Sequence, residues 1–371
     1  MKLIFIGNTA WSMYNFRRPL FQYYLGKGYE VIVASPSDGD YHEQLEELGC
    51  RCYDIGMQVK GNNPVKDFAT MWQIRKILKK EKPDCCFFYT IKPNIYGSIA
   101  AANLSIPYVP ITTGLGYVFL VDNWVSRIAK LLYKLAFRKA KQVWFLNEDD
   151  VSSFKEAKLI DESKISILKG EGIDVNRFEV HHETKEISFL LVARMLWDKG
   201  VGEFVEAAKI LKKKYPNIKF KLLGAVGVEN PSAISNEKMD EWIKEGYIEY
   251  LGVTSDVRPY LYDSTCVVLP SYREGIPFSL MEGAAAGKPL VATNAVGCKE
   301  VVEDGVTGFL CRVKDVQSLA DCMEKIVLMP AEDRNVMGMK GRNKVQTEFG
   351  IDVVIMKYNC FLTESGIINN N

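Results

Sequence analysis

Glu274 and Glu282 stand eight residues apart in the run Ser-Tyr-Arg-Glu-Gly-Ile-Pro-Phe-Ser-Leu-Met-Glu, directly after the apolar run Cys-Val-Val-Leu-Pro at 266–270. The apolar run predicts a strand and Arg273 to Pro277 a tight turn. Pro277 fits the first position of a helix that carries Glu282. One carboxylate then sits on the turn and one on the helix, beside backbone N–H groups at 276–279, at the carboxyl end of a parallel strand where phosphorylated ligands bind in open α/β sheets. A sugar nucleotide has matching needs: N–H donors and cations for its diphosphate, and carboxylates to accept hydrogen bonds from its ribose and hexose hydroxyls. Two solvated glutamates on a loop and a helix face would give the same letters.

The cations for that diphosphate are found in Val-Ala-Arg-Met-Leu-Trp-Asp-Lys-Gly, where Arg194 and Lys199 follow one predicted strand and precede a helix that starts near Val201. Such a turn faces the same edge of the sheet as 276–279, and its charges would neutralise a diphosphate as a glycosidic C–O bond breaks. Each residue taken singly is also what an ordinary surface cation looks like.

Positioning these groups requires two sheets. Strand-like runs recur at 2–7, 30–35, 51–55, 84–90, 107–112 and 142–147, separated by helix-length segments such as 64–80 and 123–140. A second series follows at 187–193, 218–223, 248–251, 266–270 and 289–293. The fold class is α/β, two doubly wound Rossmann-like domains facing across a cleft, with residues 1–176 as the first and 185–348 as the second. The glycine-containing stretch from Lys169 to Asp174 and the charged stretch up to Glu186 read as the linker. A helical segment over 352–364 follows, and Asn369 to Asn371 fray.

Composition narrows the class. With 371 residues, 47% hydrophobic content and a formal net charge of +1, the chain is a globular protein of two ordinary domains, not a dedicated nucleic-acid binder. Nine cysteines form no C-x-x-C pair and read as small buried hydrophobes of a reducing cytosol. The opening Met-Lys-Leu-Ile-Phe-Ile-Gly is too short for a signal peptide, and no apolar run approaches the ~18 residues that span a bilayer. The location expected is cytoplasmic, with any membrane contact peripheral.

Arg194, Lys199, Pro270-Ser271-x-x-Glu274-Gly275 and Glu282, continued by Gly287-Lys288-Pro289-Leu290-Val291-Ala292, Gly297, Glu300-Val301 and Asp304-Gly305-x-x-Gly308, resemble the family 4 retaining glycosyltransferases of the GT-B fold. Thr90-Ile-Lys-Pro-Asn-Ile-Tyr-Gly97, Thr113-Gly-Leu-Gly116 and Trp197-Asp-Lys-Gly200 resemble the subgroup that builds capsular, O-antigen and lipid-linked oligosaccharides. The resemblance covers about residues 1–345. It implies that Arg194 and Lys199 bind the donor diphosphate, Glu282 the ribose and Glu274 the donor sugar. The backbone of Gly275, Ile276, Pro277, Phe278 and Ser279 completes the contacts. It further implies an acceptor on the N-terminal domain and a last helix, within 349–371, crossing back to it.

The chain departs from that pattern twice. The linker reads Leu-Lys-Gly-Glu-Gly-Ile-Asp at 168–174 where the family has Pro-Asn-Gly-Val-Asp, and none of His42, His181 and His182 lies in the family's N-terminal histidine motif. Double displacement would need a nucleophilic carboxylate opposite the leaving group, and none is apparent, so front-face departure and attack is the expected route to retention. Asp38-Gly39-Asp40 spells a D-x-D metal signature, but a phosphate site with two cations needs no ion; no metal and no cofactor are expected beyond the nucleotide-sugar substrate.

On the acceptor or membrane side stand Lys92, Asn94, Thr113, Gly114 and Gly116, with Arg17 and Arg18. Arg127, Lys130, Lys134, Arg138 and Lys141 recur at helical spacing and form one stripe; Val125, Ile128, Leu132 and Leu135 form another. That helix either docks on an anionic membrane or packs on the core with an ordinary solvated face. The expected activity is metal-independent, retaining transfer of a hexose or N-acetylhexosamine, UDP-linked by preference, to an undecaprenyl-diphosphate-linked glycan in bacterial surface glycan assembly. The rivals are a sugar-nucleotide epimerase, short of histidines for a base and acid; a non-catalytic partner, which need not keep all four site residues; and an NAD oxidoreductase, which lacks G-x-G-x-x-G.

Overall fold

The computed structural model describes residues 1–58, 63–115, 124–181 and 186–368. They divide into two compact units, Met1–Gly172 with Ile351–Asn371, and Ile173–Gly350.

The first unit alternates β1 (Lys2–Ile6), α1 (Ala10–Gly26), β2 (Glu30–Ser35), α2 (Tyr41–Glu47), β3 (Arg51–Asp54), α3 (Pro64–Glu81), β4 (Cys85–Tyr89), α4 (Ser98–Asn103), β5 (Tyr108–Thr112), α5 (Trp124–Phe137), β6 (Val143–Phe145), α6 (Glu148–Glu156) and β7 (Ile165–Ile167). The strands form one parallel sheet in the order β3-β2-β1-β4-β5-β6-β7. Its central strands are unbroken apolar runs because helices cover both faces; every residue of Cys85–Tyr89 is buried. α3 begins where Pro64 needs no N–H partner and Asn63 accepts from the N–H groups of Val65 and Lys66.

The second unit runs β8 (Ser188–Val192), α7 (Val201–Lys214), β9 (Lys219–Leu223), α8 (Asn236–Glu245), β10 (Glu249–Tyr250), α9 (Arg258–Tyr262), β11 (Cys266–Leu269), α10 (Phe278–Ala285), β12 (Leu290–Thr293), α11 (Cys298–Val301), β13 (Gly308–Cys311), α12 (Val316–Leu328) and α13 (Ala331–Glu348). Its parallel sheet has the order β10-β9-β8-β11-β12-β13. The chain then enters α14 (Ile351–Glu364), which packs in the first unit: Tyr358 meets Phe5, Phe87 and Trp144, and its hydroxyl lies 2.5 Å from that of Tyr89.

Several sequence expectations need adjustment. The strands β7 and β13 escape pattern reading, being only three and four residues long. Ile173, Val175 and Phe178 are buried in a core of the second unit, so the stretch 173–178 is part of that unit and not linker. Pro277 is the N-cap of α10, whose first helical residue is Phe278. α5 ends at Phe137, which puts Arg138 and Lys141 beyond the helix and shortens the cation stripe to Arg127, Lys130 and Lys134. The second stripe is also corrected, because the side of α5 that packs inward carries Ser126, Tyr133, Ala136 and Phe137, whereas Ile128 and Leu135 are exposed. Seven of the nine cysteines are buried, Cys52 is half-buried and Cys360 exposed, and all are free thiols.

Candidate active site

In the second sheet the strand order reverses at β8: the chain goes to β9 and β10 on one side, then returns to β11 on the other. Neighbouring connections leave in opposite directions there, which opens a crevice at the carboxyl ends of β8 and β11. The turn after β8 carries Arg194 and Lys199, and the turn after β11 carries Glu274. Lys199 Nζ meets Glu274 Oε1 directly, with both side chains largely buried. Residues 75 apart in sequence thus form one ion pair at the switch point.

The pair rests on a stiff frame. The Asp198 carbonyl accepts from Tyr272 N (2.9 Å) and Ser271 Oγ (3.2 Å), tying the lysine turn to the glutamate turn. Ser271 is fully buried, and its own carbonyl accepts from Thr293 Oγ1 on β12. Gly200 has φ 71° and lies against Pro270, where a Cβ would fall 2.1 Å from the Pro270 oxygen. The N–H of Glu274 donates to Val296 O at 2.8 Å, and its Cβ packs against Gly297. A second lace holds the lysine turn: Met195 N donates to Ala225 O (2.8 Å), Trp197 N to Ser232 O (2.8 Å) and Asp198 N to Ser232 Oγ (3.0 Å). Arg194 is exposed and makes no ion pair with a described residue.

Beyond Glu274, Ile276 and Phe278 turn their side chains to the core. Gly275 and Ser279 stay half-buried, and Pro277 brings no N–H. The N–H groups of Ser279 and Leu280 lie in the first turn of the helix, at the positive end of its dipole. Glu282 follows on the same helix, half-buried. Burial pushes its carboxyl up to about 8; the Arg177 guanidinium opposes this and Asp256 adds to it. Asp256 is itself held by Arg258, with Nε to Oδ1 and Nη2 to Oδ2 both at 2.8 Å, and Arg258 Nη1 reaches the Arg177 carbonyl at 3.4 Å. Sequence reading missed Arg177 and Asp256 because nothing in their spacing links them to Glu282.

The first unit sorts its candidates differently. Asn94 is buried and spent on β5, donating to Ile111 O (2.9 Å) and accepting from Ile111 N (3.2 Å). Lys92 pairs with Asp67 at 2.6 Å. Both therefore brace the fold. Arg17 is buried, paired with Glu171 at 2.5 Å and stacked over Tyr89 at 3.7 Å, while Arg18 donates to Tyr14 Oη at 3.2 Å. Thr113 and Gly114 are half-buried at the end of β5; Gly116 lies outside the described residues. Unforeseen from the sequence, Thr90 holds φ 69° at the end of β4, costly for a β-branched residue, and the hydroxyls of Thr90 and Thr112 are buried with no partner among the described residues. Asp38 of the D-x-D is engaged by the N–H of Trp11 (2.9 Å), and His42 by Ser35 Oγ (2.9 Å).

Comparison with known proteins now decides the family. The model described as glycosyl transferases group 1 matches residues 172–344, and the one described as glycosyl transferase 4-like matches residues 2–147. The N,N'-diacetylbacillosaminyl-diphospho-undecaprenol alpha-1,3-N-acetylgalactosaminyltransferase of Campylobacter jejuni is 31% identical over 96% of this chain and 97% of its own length. This chain is a family 4 glycosyltransferase. The UDP-Gal:alpha-D-GlcNAc-diphosphoundecaprenol alpha-1,3-galactosyltransferase of Escherichia coli is 25% identical over 87% of this chain and 86% of its own length. The crystal structure of a glycosyltransferase from Rickettsia africae shares the GT-B fold, with TM-score 0.79 at 18% identity over 100% of this chain and 99% of that one. The enzyme transfers sugars, and Lys199, Glu274 and Glu282 all fall within the group 1 match.

Proposed function

We propose that the enzyme moves a hexose or N-acetylhexosamine from a UDP-sugar to an undecaprenyl-diphosphate-linked glycan, with retention of anomeric configuration and without a metal ion. The observation that carries this reading is the Lys199–Glu274 pair at the switch point of the second sheet. A donor diphosphate competes with Glu274 for Lys199, so its arrival frees the carboxylate for the sugar hydroxyls while Arg194 supplies the second cation. In the transfer step the bond between the sugar C1 and the β-phosphate oxygen breaks. The acceptor oxygen then bonds C1 on the same face, and its proton passes to the departing phosphate oxygen. The names of the two relatives support a lipid-diphosphate acceptor, and that of the Escherichia coli enzyme a UDP-linked donor.

Such an acceptor lies in a bilayer, whereas no helix among the described residues is long and apolar enough to cross one. α5 supports docking from the surface at the cytoplasmic face: Trp124, Ile128, Leu131 and Leu135 are exposed along one side, with Arg127, Lys130 and Lys134 beside them. Each cation near an anionic surface contributes about 1 kcal/mol.

The test is a thermal-shift series with UDP-, GDP-, ADP- and dTDP-sugars in EDTA, followed by transfer to undecaprenyl-diphosphate-linked acceptors and analysis of the product anomer. A UDP-hexose or UDP-hexosamine that raises the melting temperature in EDTA and yields a retained product bears the reading out. An inverted product, or turnover abolished by EDTA and restored by a divalent cation, refutes it.

A further inference from the structure

α5 is not the only helix of the first unit with an apolar outer side. On α3, Val65 is 78% exposed, Phe68 62% and Trp72 47%, and their spacing puts all three on one side of its first two turns. The same side continues toward the C-terminus with Lys76 and Lys79, while Arg75 lies over the Trp72 ring at 5.4 Å. The exposed side of α3 is thus apolar at its start and cationic along the rest. An ordinary solvated helix face intersperses the two and keeps its tryptophans inside.

α3 and α5 belong to one layer. Ile74, Ile77 and Leu78 of α3 share a core with Ala100 and Ala101 of α4 and with Tyr133, Ala136 and Phe137 of α5. α4 lies between the two, is short, and carries no charge. In a parallel sheet each helix runs opposite to the strands, so α3 and α5 both start at the carboxyl edge of the strands. Their apolar ends, Val65, Phe68 and Trp72 on one and Trp124 and Ile128 on the other, lie toward that shared edge.

Charge selects the occupant. Asp67 of α3 is buried against Lys92 and Tyr96, and Glu81 is buried against Lys2 and Arg51. α5 has no acidic residue. Every charge that the two helices expose is therefore basic, and the first acidic group met beyond α5 is the start of α6, Glu148 and Asp149. Exposed apolar side chains on helices whose exposed charges are all basic fit an anionic bilayer surface, where rings and aliphatic side chains enter the acyl boundary and lysines and arginines meet phosphate.

We infer that α3 is a second membrane-docking element, which seats Val65, Phe68 and Trp72 in an anionic bilayer alongside the apolar side of α5. This rests on the docking reading given above and extends it, since two helices fix the tilt of the unit on the surface where a single helix leaves it free to roll. The acceptor's lipid-bound end would then meet the carboxyl edge of the first sheet at a set height.

The experiment is co-sedimentation of the full chain with phosphatidylcholine vesicles, with and without phosphatidylglycerol. It compares the wild type, the α3 variant Phe68→Ser/Trp72→Ser and the α5 variant Ile128→Ser/Leu131→Ser. The mutated side chains are exposed, so melting temperatures should match the wild type. The inference expects the α3 variant to lose about tenfold or more in partitioning onto phosphatidylglycerol vesicles. Wild-type partitioning by the α3 variant with loss by the α5 variant overturns the inference and leaves α5 docking intact. Wild-type partitioning by both overturns docking through either helix, and a wild type that does not partition at all removes docking altogether. Binding indifferent to phosphatidylglycerol, or an α3 variant that changes the oligomeric state but not vesicle binding, also overturns it, the latter by assigning the face to a second copy of the chain.

Discussion

The half-buried Glu282 makes a prediction that needs no substrate. Its carboxyl is pushed up to about 8 in the folded protein, against an ordinary value near 4.5. Between those values the unfolded chain has released this proton and the folded chain still holds it. The folded state therefore binds more protons, and its stability falls as pH rises through the window. From the two values, the cost is about 1 kcal/mol near pH 5 and about 4 kcal/mol near pH 7.5. Glu282→Gln keeps the shape and removes the titration, so its stability advantage over the wild type should grow by about 3 kcal/mol between about pH 5 and about pH 7.5. Urea titrations at a series of pH values measure this, with the comparison repeated by thermal melting. Stability curves of wild type and variant that run parallel across the window would refute the argument, since a carboxyl with an ordinary pKa contributes no slope there. Asp256→Asn should flatten part of the same slope, because Asp256 helps to hold the proton on.

Other consequences concern the ligand. Lys199→Ala should weaken donor affinity about tenfold or more, and Glu274→Ala should lower kcat more than it lowers nucleotide affinity; titration calorimetry and steady-state kinetics separate the two, and normal activity in Lys199→Ala rules out the diphosphate assignment. Gly297→Ala should reduce kcat and the melting temperature together, because its Cβ would stand 2.6 Å from Glu274 Cβ at φ 88°; an unaffected variant would show that Glu274 tolerates displacement. Thr90→Gly should stabilise the fold by about 1 kcal/mol, since glycine accepts φ 69° without strain, and a loss of stability would show that the threonine contacts outweigh that strain.

The sequence alone determined the alternation of strands and helices and the strand-turn-helix segment that holds Glu274 and Glu282. Both are local properties: apolar runs of strand length, and a turn whose proline and glycine set the backbone between two carboxylates. The bounds of β2 (Glu30–Ser35) could be read from neighbouring residues in the same way. Only the tertiary structure decided which groups meet. Lys199 reaches Glu274 because β8 and β11 are neighbours in the sheet, a fact of strand order that no spacing encodes. The proton on Glu282 depends on burial and on Arg177 and Asp256, brought in from other elements. Periodicity showed that α5 is two-sided but misplaced the buried side, because Ser126 and Ala136 pack inward where small side chains suit the layer beneath, leaving Ile128 and Leu135 outside. The partners of Asn94 and Lys92, Ile111 and Asp67, likewise come from elements that only the fold brings beside them. A side chain's type and near neighbours fix what it can do, but its burial and its partner depend on residues far along the chain, and those appear only when the sheet is assembled.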